Sequence, residues 1–490
     1  MNHILLFPIV FPILAGIMLL TVIKYQNRKP LLAYVGTVLG VNALWGLFAM
    51  FRVSEGVTIF YLTKSLPIYL KVDTVGRLFA SLMVLVWLLG GLFSFEYMKH
   101  EKNEQRFYGF YLILYGVLFG LDFSGNLITL YLFYEFMTLT ALPLVLHTQT
   151  KEAVMAGLKY LFYSFAGAYM ALFGVFFIGR YAKTLEFTPG GVIDPSVFRE
   201  NETLFFVVAM LMILGFSVKA GMFPMHAWLT AAHPAAPGPA SAVLSGIIVK
   251  GGILALIRVV YEIIGVDFLR GSWVQQWWMI LSLLTVFLGS LLAFREPVLK
   301  KRLAYSTVSQ LSYILFGLSL FEVQAMTGSL LHIIAHVFIK VALFFTAAAI
   351  IYMTGCKRVE ELRGVTKGMP VTMWCYTIVS LGLIGIPPTS GFISKWYLAE
   401  GALHTGIPVF SWLGPVILLL SALLTAGYLL PLSMRGFFPG EGYDAGRFAG
   451  KEPPLSMRVP LLIFAGLTLG IGLFPNVFTN ILSAAADFLM

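Results

Sequence analysis

Charged residues are scarce in this sequence. Only 11% of its 490 residues are Asp, Glu, Lys or Arg, whereas about 25% is usual in soluble domains. Hydrophobic residues make up 59% of the chain, and aromatic residues 15%. This composition excludes an ordinary soluble protein and indicates a polytopic membrane protein.

Cysteine is almost absent. Cys356 and Cys375 share no short motif spacing, which argues against a disulfide framework, a zinc site or an iron-sulfur cluster. No nucleotide-binding glycine loop, catalytic triad or cofactor motif is found either. We therefore expect no cofactor and no metal in this chain, so any redox chemistry would lie on a partner subunit. The net charge of +10 is spread through short loops, which argues against nucleic acid as a partner.

Long apolar windows are abundant. They predict an all-α membrane protein with about fourteen transmembrane helices of roughly 20 residues. Residues 3–23 are long enough to span and have no basic segment before them, so we expect a permanent helix rather than a signal peptide. If the N-terminus lies outside and the spans alternate in direction, the inner loops contain more than twice as many Lys and Arg residues as the outer loops. The positive-inside rule then predicts that both termini lie outside.

Two of the predicted spans are interrupted by Gly and Pro. The seventh contains Gly221 and Pro224, and the twelfth contains Pro387, Pro388 and Gly391. Proline removes a backbone donor and disfavours helix in the preceding residue. Irregular backbone at membrane depth survives only where protein buries it or water lies beside it. The two breaks therefore predict a functional site.

The interruptions are five helices apart, which predicts two five-helix repeats of inverted orientation. The expected division is an N-terminal three-helix segment, two five-helix repeats and a C-terminal helix, at residues 1–104, 105–265, 266–436 and 437–490.

Basic residues outnumber acidic ones inside the predicted spans. Four lysines lie deep or beside a break, namely Lys219, Lys250, Lys340 and Lys395, whereas Glu135 is the one deep acid. A charge near the bilayer centre costs at least about 2.5–3.5 kcal/mol, so partners or water are expected. Burial favours neutral lysine and a nearby carboxylate favours charged lysine, so such a row can exchange protons. The alternative is a structural ion pair that fixes helix packing, although one acid cannot pair with four lysines.

The eleventh span places His332, His336 and Lys340 at i, i+4 and i+8, on one helix face. Histidine titrates near physiological pH and suits a proton relay. A His-x-x-x-His pair can also bind metal, but no carboxylate or cysteine nearby completes the ligand set. His226, His233 and Lys159 are further relay candidates, although Lys159 lies near a span end, where lysine can extend to the interface.

Three runs carry a family resemblance: PMHAWLTAAHPAAPGPASAVLSGIIVKGG from Pro224, HIIAHVFIKVALFF from His332 and GIPPTSGFISKW from Gly385. They resemble the antiporter-like subunits of respiratory complex I, Mrp-type sodium/proton antiporters and membrane-bound hydrogenases. The resemblance covers the whole chain and implies fourteen helices, two inverted five-helix repeats and discontinuous helices 7 and 12. It also implies a proton relay at the matching positions, which are Glu135, Lys219, Lys250, His332, His336, Lys340 and Lys395.

Within that family the sequence is most similar to the Mrp D-type subunit. Lys395 stands where one complex I member has glutamate, and no long C-terminal extension follows the last predicted helix. The expected function is proton translocation in a multisubunit cation/proton antiporter or a hydrogenase-type complex of a prokaryotic cell membrane. Partners would be other membrane subunits, homologous subunits and a redox module, with protons or sodium as the ions. The alternatives are a proton-pumping complex I subunit, a quinone- or metal-binding redox subunit, and a structural anchor.

Overall fold

The computed structural model describes residues 2–53, 55–64, 66–194, 196, 201–444 and 446–490. Across these residues the protein is almost entirely helical. Numbered in chain order, the helices are α1 (Phe7–Thr21), α2 (Arg28–Arg52), α3 (Thr74–Tyr97), α4 (Glu104–Asp122), α5 (Leu127–Val145), α6 (Lys151–Tyr181), α7 (Glu202–Ala220), α8 (Ala227–Ala235), α9 (Gly238–Ile264), α10 (Val266–Leu269), α11 (Trp273–Arg295), α12 (Leu299–Ser319), α13 (Val323–Thr354), α14 (Pro370–Ile384), α15 (Ser390–His404), α16 (Phe410–Phe437), α17 (Leu455–Leu473) and α18 (Pro475–Leu489). Short 3₁₀ turns lie at Asn2–Leu6, Met98–His100, Val359–Leu362 and Val365–Lys367.

Membrane-length apolar helices dominate the described part of the chain. Eleven of its helical segments are long and apolar enough to cross a bilayer, and α14 is a shorter apolar helix. The prediction of a multi-pass, all-α membrane protein is therefore confirmed at this level.

Several helices begin at side chains that satisfy the free N–H groups of the first turn. Asp73 caps α3 by accepting a hydrogen bond from the Gly76 amide, and Asn126 caps α5 in the same way through Thr129. Glu322 caps α13 through the Ala325 amide. Such caps stabilise a helix by about 1 kcal/mol each, and those of α5 and α13 fix the start of two helices that carry site residues.

Helices α9 and α13 form the centre of the bundle. The most apolar window of each is completely buried by protein, so neither faces lipid there. Helix α9 is not regular, because π-helical turns occupy Leu244–Ile248 and Arg258–Ile264. A π-helical turn changes the backbone bonding pattern and is frequent at functional sites.

The predicted breaks in the seventh and twelfth spans are present. Helix α7 ends at Gly221, whose φ of 70° suits glycine, before α8 begins. Helix α14 ends at Gly385 and α15 follows. Pro224 and Pro388 each follow a cis peptide bond within these breaks. At Gly391 an added Cβ would lie 1.8 Å from the Gly382 carbonyl oxygen, so only glycine allows α14 and α15 to approach this closely.

Two features differ from the predicted helices. Strands β1 (Val57–Thr63) and β2 (Leu66–Leu70) form an antiparallel hairpin between α2 and α3, with Val57 opposite Leu70. The C-terminal segment contains α17 and α18 rather than one helix. The chain turns at Phe474, because Pro475 lacks an amide donor and suits only the first turn of a helix.

Candidate functional site

Lys219 lies fully buried in the last turn of α7. Its ammonium donates hydrogen bonds to Tyr160 Oη at 2.8 Å and to Ser164 Oγ at 2.9 Å, both on α6. It also lies 4.1 Å from the centre of the Tyr160 ring, a favourable cation–π distance. Neutral groups alone therefore solvate this cation.

Glu135 lies on α5, partly buried, and its charge interacts electrostatically with that of Lys219. Its Oε1 atom is buried without a hydrogen-bond partner among the described residues. The two side chains form no ion pair within 4 Å, since Lys219 binds hydroxyl groups instead. Glu135 thus influences Lys219 through its field, without fixing it in a direct contact.

Lys250 and His336 are in direct contact at the centre of the bundle. Lys250 Nζ lies 2.7 Å from His336 Nδ1, which joins α9 to α13. The same ammonium donates to the Ser245 carbonyl at 2.5 Å. Ser245 belongs to the π-helical turn of α9, so the irregular backbone supplies an acceptor to the lysine.

Lys340 lies one helical turn beyond His336 on α13 and is fully buried. It donates to Ser306 Oγ at 2.7 Å and to the Leu303 carbonyl at 3.1 Å, both on α12. The Ser306 hydroxyl in turn lies 2.6 Å from Tyr428 Oη on α16. A hydroxyl chain therefore leads from this lysine to a third helix.

His332 connects the central bases Lys250, His336 and Lys340 to the second helix break. Its Nδ1 lies 2.8 Å from Ser394 Oγ on α15, and its ring centre lies 6.1 Å from that of His336. The Nε2 atoms of both histidines are buried without a hydrogen-bond partner among the described residues.

Lys395 lies beside the second break and caps the end of α14. Its ammonium donates to the carbonyls of Leu383 at 2.6 Å and Ile384 at 3.0 Å. Terminal carbonyls of a helix have no partner within the helix and carry partial negative charge. The broken helix thus solvates this cation with backbone oxygen, and Tyr313 adds a cation–π contact at 4.9 Å.

The four lysines share one property: neutral oxygen and nitrogen atoms solvate them, and none occurs in an ion pair of the described part of the chain. Their charges are therefore not locked by neighbouring carboxylates. The arrangement can gain and lose protons without breaking a salt bridge.

The further candidates lie in different surroundings. His233 is buried against Phe344, with both ring nitrogens unpartnered among the described residues. His226 is partly buried at the start of α8. Lys159 is exposed and lines a cavity of about 640 Å³ beside α8, together with Pro234, one residue after His233. That exposure agrees with a lysine that extends to the interface.

Sequence reasoning missed the hydroxyl groups that solvate the lysines. Tyr160, Ser164, Ser306 and Ser394 are ordinary residues for membrane helices, where they often bond to neighbouring helices. A search of the opposing helix faces for Ser, Thr and Tyr would have nominated them, but it requires the helix neighbours to be known.

A buried acidic cluster was missed as well. Arg258 is 1% exposed and binds Asp73 at 2.6 Å and Glu262 at 2.7 Å. Asp122 is also buried and interacts electrostatically with this guanidinium. Burial alone would raise the pKa of Asp73, but the charge and hydrogen bonds of Arg258 hold it below its ordinary value. Glu135 is thus not the only buried acid, and Arg258 is buried although it lies near the end of a predicted span.

No group of three or more His, Cys, Asp or Glu side chains that could hold a metal ion occurs among the described residues.

Comparison with known proteins places the chain in a family. The family described as "NADH:quinone oxidoreductase/Mrp antiporter, TM" matches residues 124–424. The N subunit of the NADH-quinone oxidoreductase of Desulforudis audaxviator is 30% identical over 399 residues, which cover 79% of this chain and 78% of that protein. The D subunit of the Na⁺/H⁺ antiporter of Bacillus subtilis is 27% identical over 496 residues, which cover 100% of this chain and 98% of that protein.

A solved structure has the same fold. A chain of the Mrp complex from a Dietzia species superposes with a TM-score of 0.84 at 23% identity, covering 100% of this chain and 97% of that chain.

Proposed function

The chain belongs to the family of NADH:quinone oxidoreductase and Mrp antiporter membrane subunits, and we propose that it translocates protons along its row of buried bases. It is an antiporter-like membrane subunit, and the proposal assigns the transport to named residues. Glu135 sets the charge of Lys219, and Lys250, His332, His336, Lys340 and Lys395 pass the proton on.

The contact between Lys250 and His336 is the observation that carries this proposal. At 2.7 Å the two nitrogen atoms share one hydrogen bond, and either nitrogen can hold the shared proton. Histidine exchanges protons near neutral pH, and burial favours the neutral form of lysine. The pair joins α9 to α13, so a proton that crosses it passes between the two proposed repeats.

Electrostatic coupling supports sequential movement. Two unit charges 4 Å apart interact with about 4 kcal/mol at an effective dielectric constant of 20. A proton that arrives at one base of the row therefore disfavours charge on the next base. The hydroxyl and carbonyl partners of the lysines accept hydrogen bonds from either protonation state without a charge of their own, so they do not oppose that movement.

We also propose that the chain crosses the membrane fourteen times, with two inverted five-helix repeats and both termini outside a prokaryotic cell membrane. The helix breaks of α7–α8 and α14–α15 support the repeats, because each places a lysine beside an interrupted helix. The excess of basic residues in the predicted inner loops supports the orientation.

We favour the assignment of this chain as the D-type subunit of an Mrp-like antiporter. The similarity to the Bacillus subtilis antiporter chain covers nearly the whole of both proteins. A complex I subunit is the second candidate, because the Desulforudis audaxviator oxidoreductase chain is slightly more similar over a shorter stretch. Proton movement would be coupled to sodium transport elsewhere in the complex in the first case, and to redox chemistry in partner subunits in the second.

The test is proton transport by the whole complex in vesicles with a pH-sensitive dye. Glu135→Ala and Lys219→Ala should abolish coupled ion transport while the complex still assembles. Lys99→Ala is the matched control, because Lys99 forms only a surface ion pair with Glu96. Wild-type transport in either the Glu135 or the Lys219 variant would refute the assignment.

Identification of the co-purifying subunits separates the two complexes. Small membrane subunits and homologous antiporter-like chains alone would indicate an antiporter. A hydrogenase or quinone-oxidoreductase module would indicate redox-driven pumping.

A further inference from the structure

Asp122 is a buried acid that the proposed row of bases does not use. It is the last residue of α4 and is 4% exposed. Its Oδ2 atom has no hydrogen-bond partner among the described residues. Leaving a buried carboxylate oxygen unsatisfied is costly, so such an atom calls for a ligand, a proton or a water molecule.

A small enclosed cavity connects Asp122 with Lys250. Both residues line it, and the rest of its wall is apolar, including Leu121 and Ile333. It offers about 10 Å³ to the centre of a water molecule, which is about the space that one buried water needs.

The two polar side chains supply the partners that such a water requires. An ammonium group has three N–H donors, and Lys250 uses two of them, toward Ser245 and His336. The third can donate to the water, which can donate to Asp122 Oδ2. A buried water typically makes two to four hydrogen bonds, so this pair meets the minimum.

Burial favours the neutral, protonated form of Asp122, because a carboxylate loses its hydration inside the protein. Arg258 is the nearby cation that acts on Asp122, but it already binds the carboxylates of Asp73 and Glu262. The attraction of Arg258 for Asp122 is therefore shared with two other carboxylates.

The cluster also leads to solvent. The Asp73 side chain is 26% exposed, whereas Arg258 is 1% exposed. Asp73 begins α3, Asp122 ends α4 and Glu262 lies in the last turn of α9. These positions mark one end of the bundle, the end that the charge distribution of the loops places outside.

We propose that Asp122 exchanges protons with Lys250 through one water molecule and begins a branch of the relay toward the Asp73–Arg258–Glu262 cluster. In the forward step an N–H bond of the Lys250 ammonium breaks, the water accepts that proton, and it gives one of its own to Asp122 Oδ2. The products are a neutral amine, an unchanged water and a neutral carboxylic acid. The inference rests on the proposed function, since Lys250 has to carry protons for the branch to serve transport.

The test compares Asp122→Asn with Asp122→Glu in the reconstituted complex. The amide keeps the size of the side chain but cannot take up a proton, so the flux should fall at least tenfold. The glutamate variant should retain clearly more flux than the asparagine variant. Asp267→Asn is the matched control, because it also converts an aspartate to an amide but at a side chain that is 94% exposed, and it should transport normally.

Infrared difference spectroscopy gives a readout that a structural role would not move. The wild-type complex should show the carbonyl stretch of a protonated buried carboxylic acid that changes during transport, and Asp122→Asn should lack it. Wild-type flux in Asp122→Asn, or identical spectra of the two proteins, would overturn the inference. Glu135→Ala distinguishes failure of the branch from failure of the proposed function. If Glu135→Ala blocks flux while Asp122→Asn does not, only the branch is refuted. If Glu135→Ala transports normally, the proposed function fails.

Discussion

Three lysines of the proposed relay obtain their partners in different ways. Lys219 uses two hydroxyl groups of α6, Lys250 a histidine and a π-turn carbonyl, and Lys395 the end of a broken helix. A hydrogen bond to a charged group contributes about 1.5–3 kcal/mol. This is comparable to the cost of placing a charge at the bilayer centre on the insertion scale, which gives the lowest values. Neutral partners are therefore sufficient to keep these lysines inside the membrane.

Lys395→Met tests the role of the helix end. Methionine has similar length but no donors, so the carbonyls of Leu383 and Ile384 lose their ligand. We expect proton flux to fall at least tenfold and the free energy of unfolding to decrease by about 1–3 kcal/mol. Lys301→Met is the control, because the Lys301 side chain is 41% exposed and its ion pair with Glu296 lies at the protein surface, where such pairs contribute about 1 kcal/mol or less. Unchanged flux and unchanged thermal stability in Lys395→Met would contradict this role.

Asp73 provides a prediction for pH dependence. The pKa of Asp73 is lower in the folded protein than its ordinary value of 3.8, so its stabilising effect is present above that pH and is lost as the pH falls. Asp73→Asn should destabilise the purified protein by about 1–3 kcal/mol at neutral pH, because Arg258 loses its charged hydrogen bonds to Asp73 and keeps those to Glu262.

The decisive observable is the difference in melting temperature between wild type and Asp73→Asn. It should be largest near pH 7 and should shrink as the pH falls below about 4. A difference that stays constant across this range would show that the carboxylate charge does not stabilise the fold.

The sequence predicts the relay bases well and their partners poorly. Lysines inside apolar runs stand out because charge is expensive there. Serine and tyrosine do not stand out, because both are common in membrane helices. Arg258 lies near the end of a predicted span, where the sequence gives no sign of burial, and only the packing of α3 against α9 shows that it is buried with Asp73.

At the scale of the element, the helix breaks are the features that the sequence reveals most clearly. Gly221 and Gly385 have φ angles of 70° and 93° at the ends of α7 and α14, and prolines follow both. The π-helical turns of α9 were not predicted, since no proline or glycine pattern marks them. The hairpin β1–β2 was also missed, because its short apolar strands resemble the ends of neighbouring spans.

Gly391→Ala tests the close contact within the second break. The added methyl group would collide with the Gly382 carbonyl at 1.8 Å, and backbone atoms cannot move aside cheaply. We expect a loss of stability of about 1–3 kcal/mol, typical of overpacking, and a loss of transport as Lys395 leaves the end of α14. Gly466→Ala is the control, since it lies in α17 with nothing within 4 Å of the new methyl group. Equal thermal stability of the two variants would refute the account of Gly391.

At the scale of the whole molecule, the site lies between two buried central helices. Helix α9 carries Lys250 and helix α13 carries His332, His336 and Lys340. The multi-pass helical class could be predicted from composition. The lysines of the proposed relay could be predicted because a charged side chain inside the membrane is costly in free energy. The sequence did not predict that α9 and α13 pack against each other, because such a long-range contact leaves no local pattern.

The central claim is that protons cross the protein through the contact between Lys250 and His336. Lys250→Met tests it most directly, because methionine is about as long as lysine but cannot carry a proton, and among the described residues no charged partner of Lys250 is left unpaired. The measurement is proton flux in vesicles that contain the assembled complex, with wild type as the reference. We predict an assembled complex whose flux is at least tenfold lower than that of wild type. Wild-type flux through an assembled Lys250→Met complex would contradict the claim.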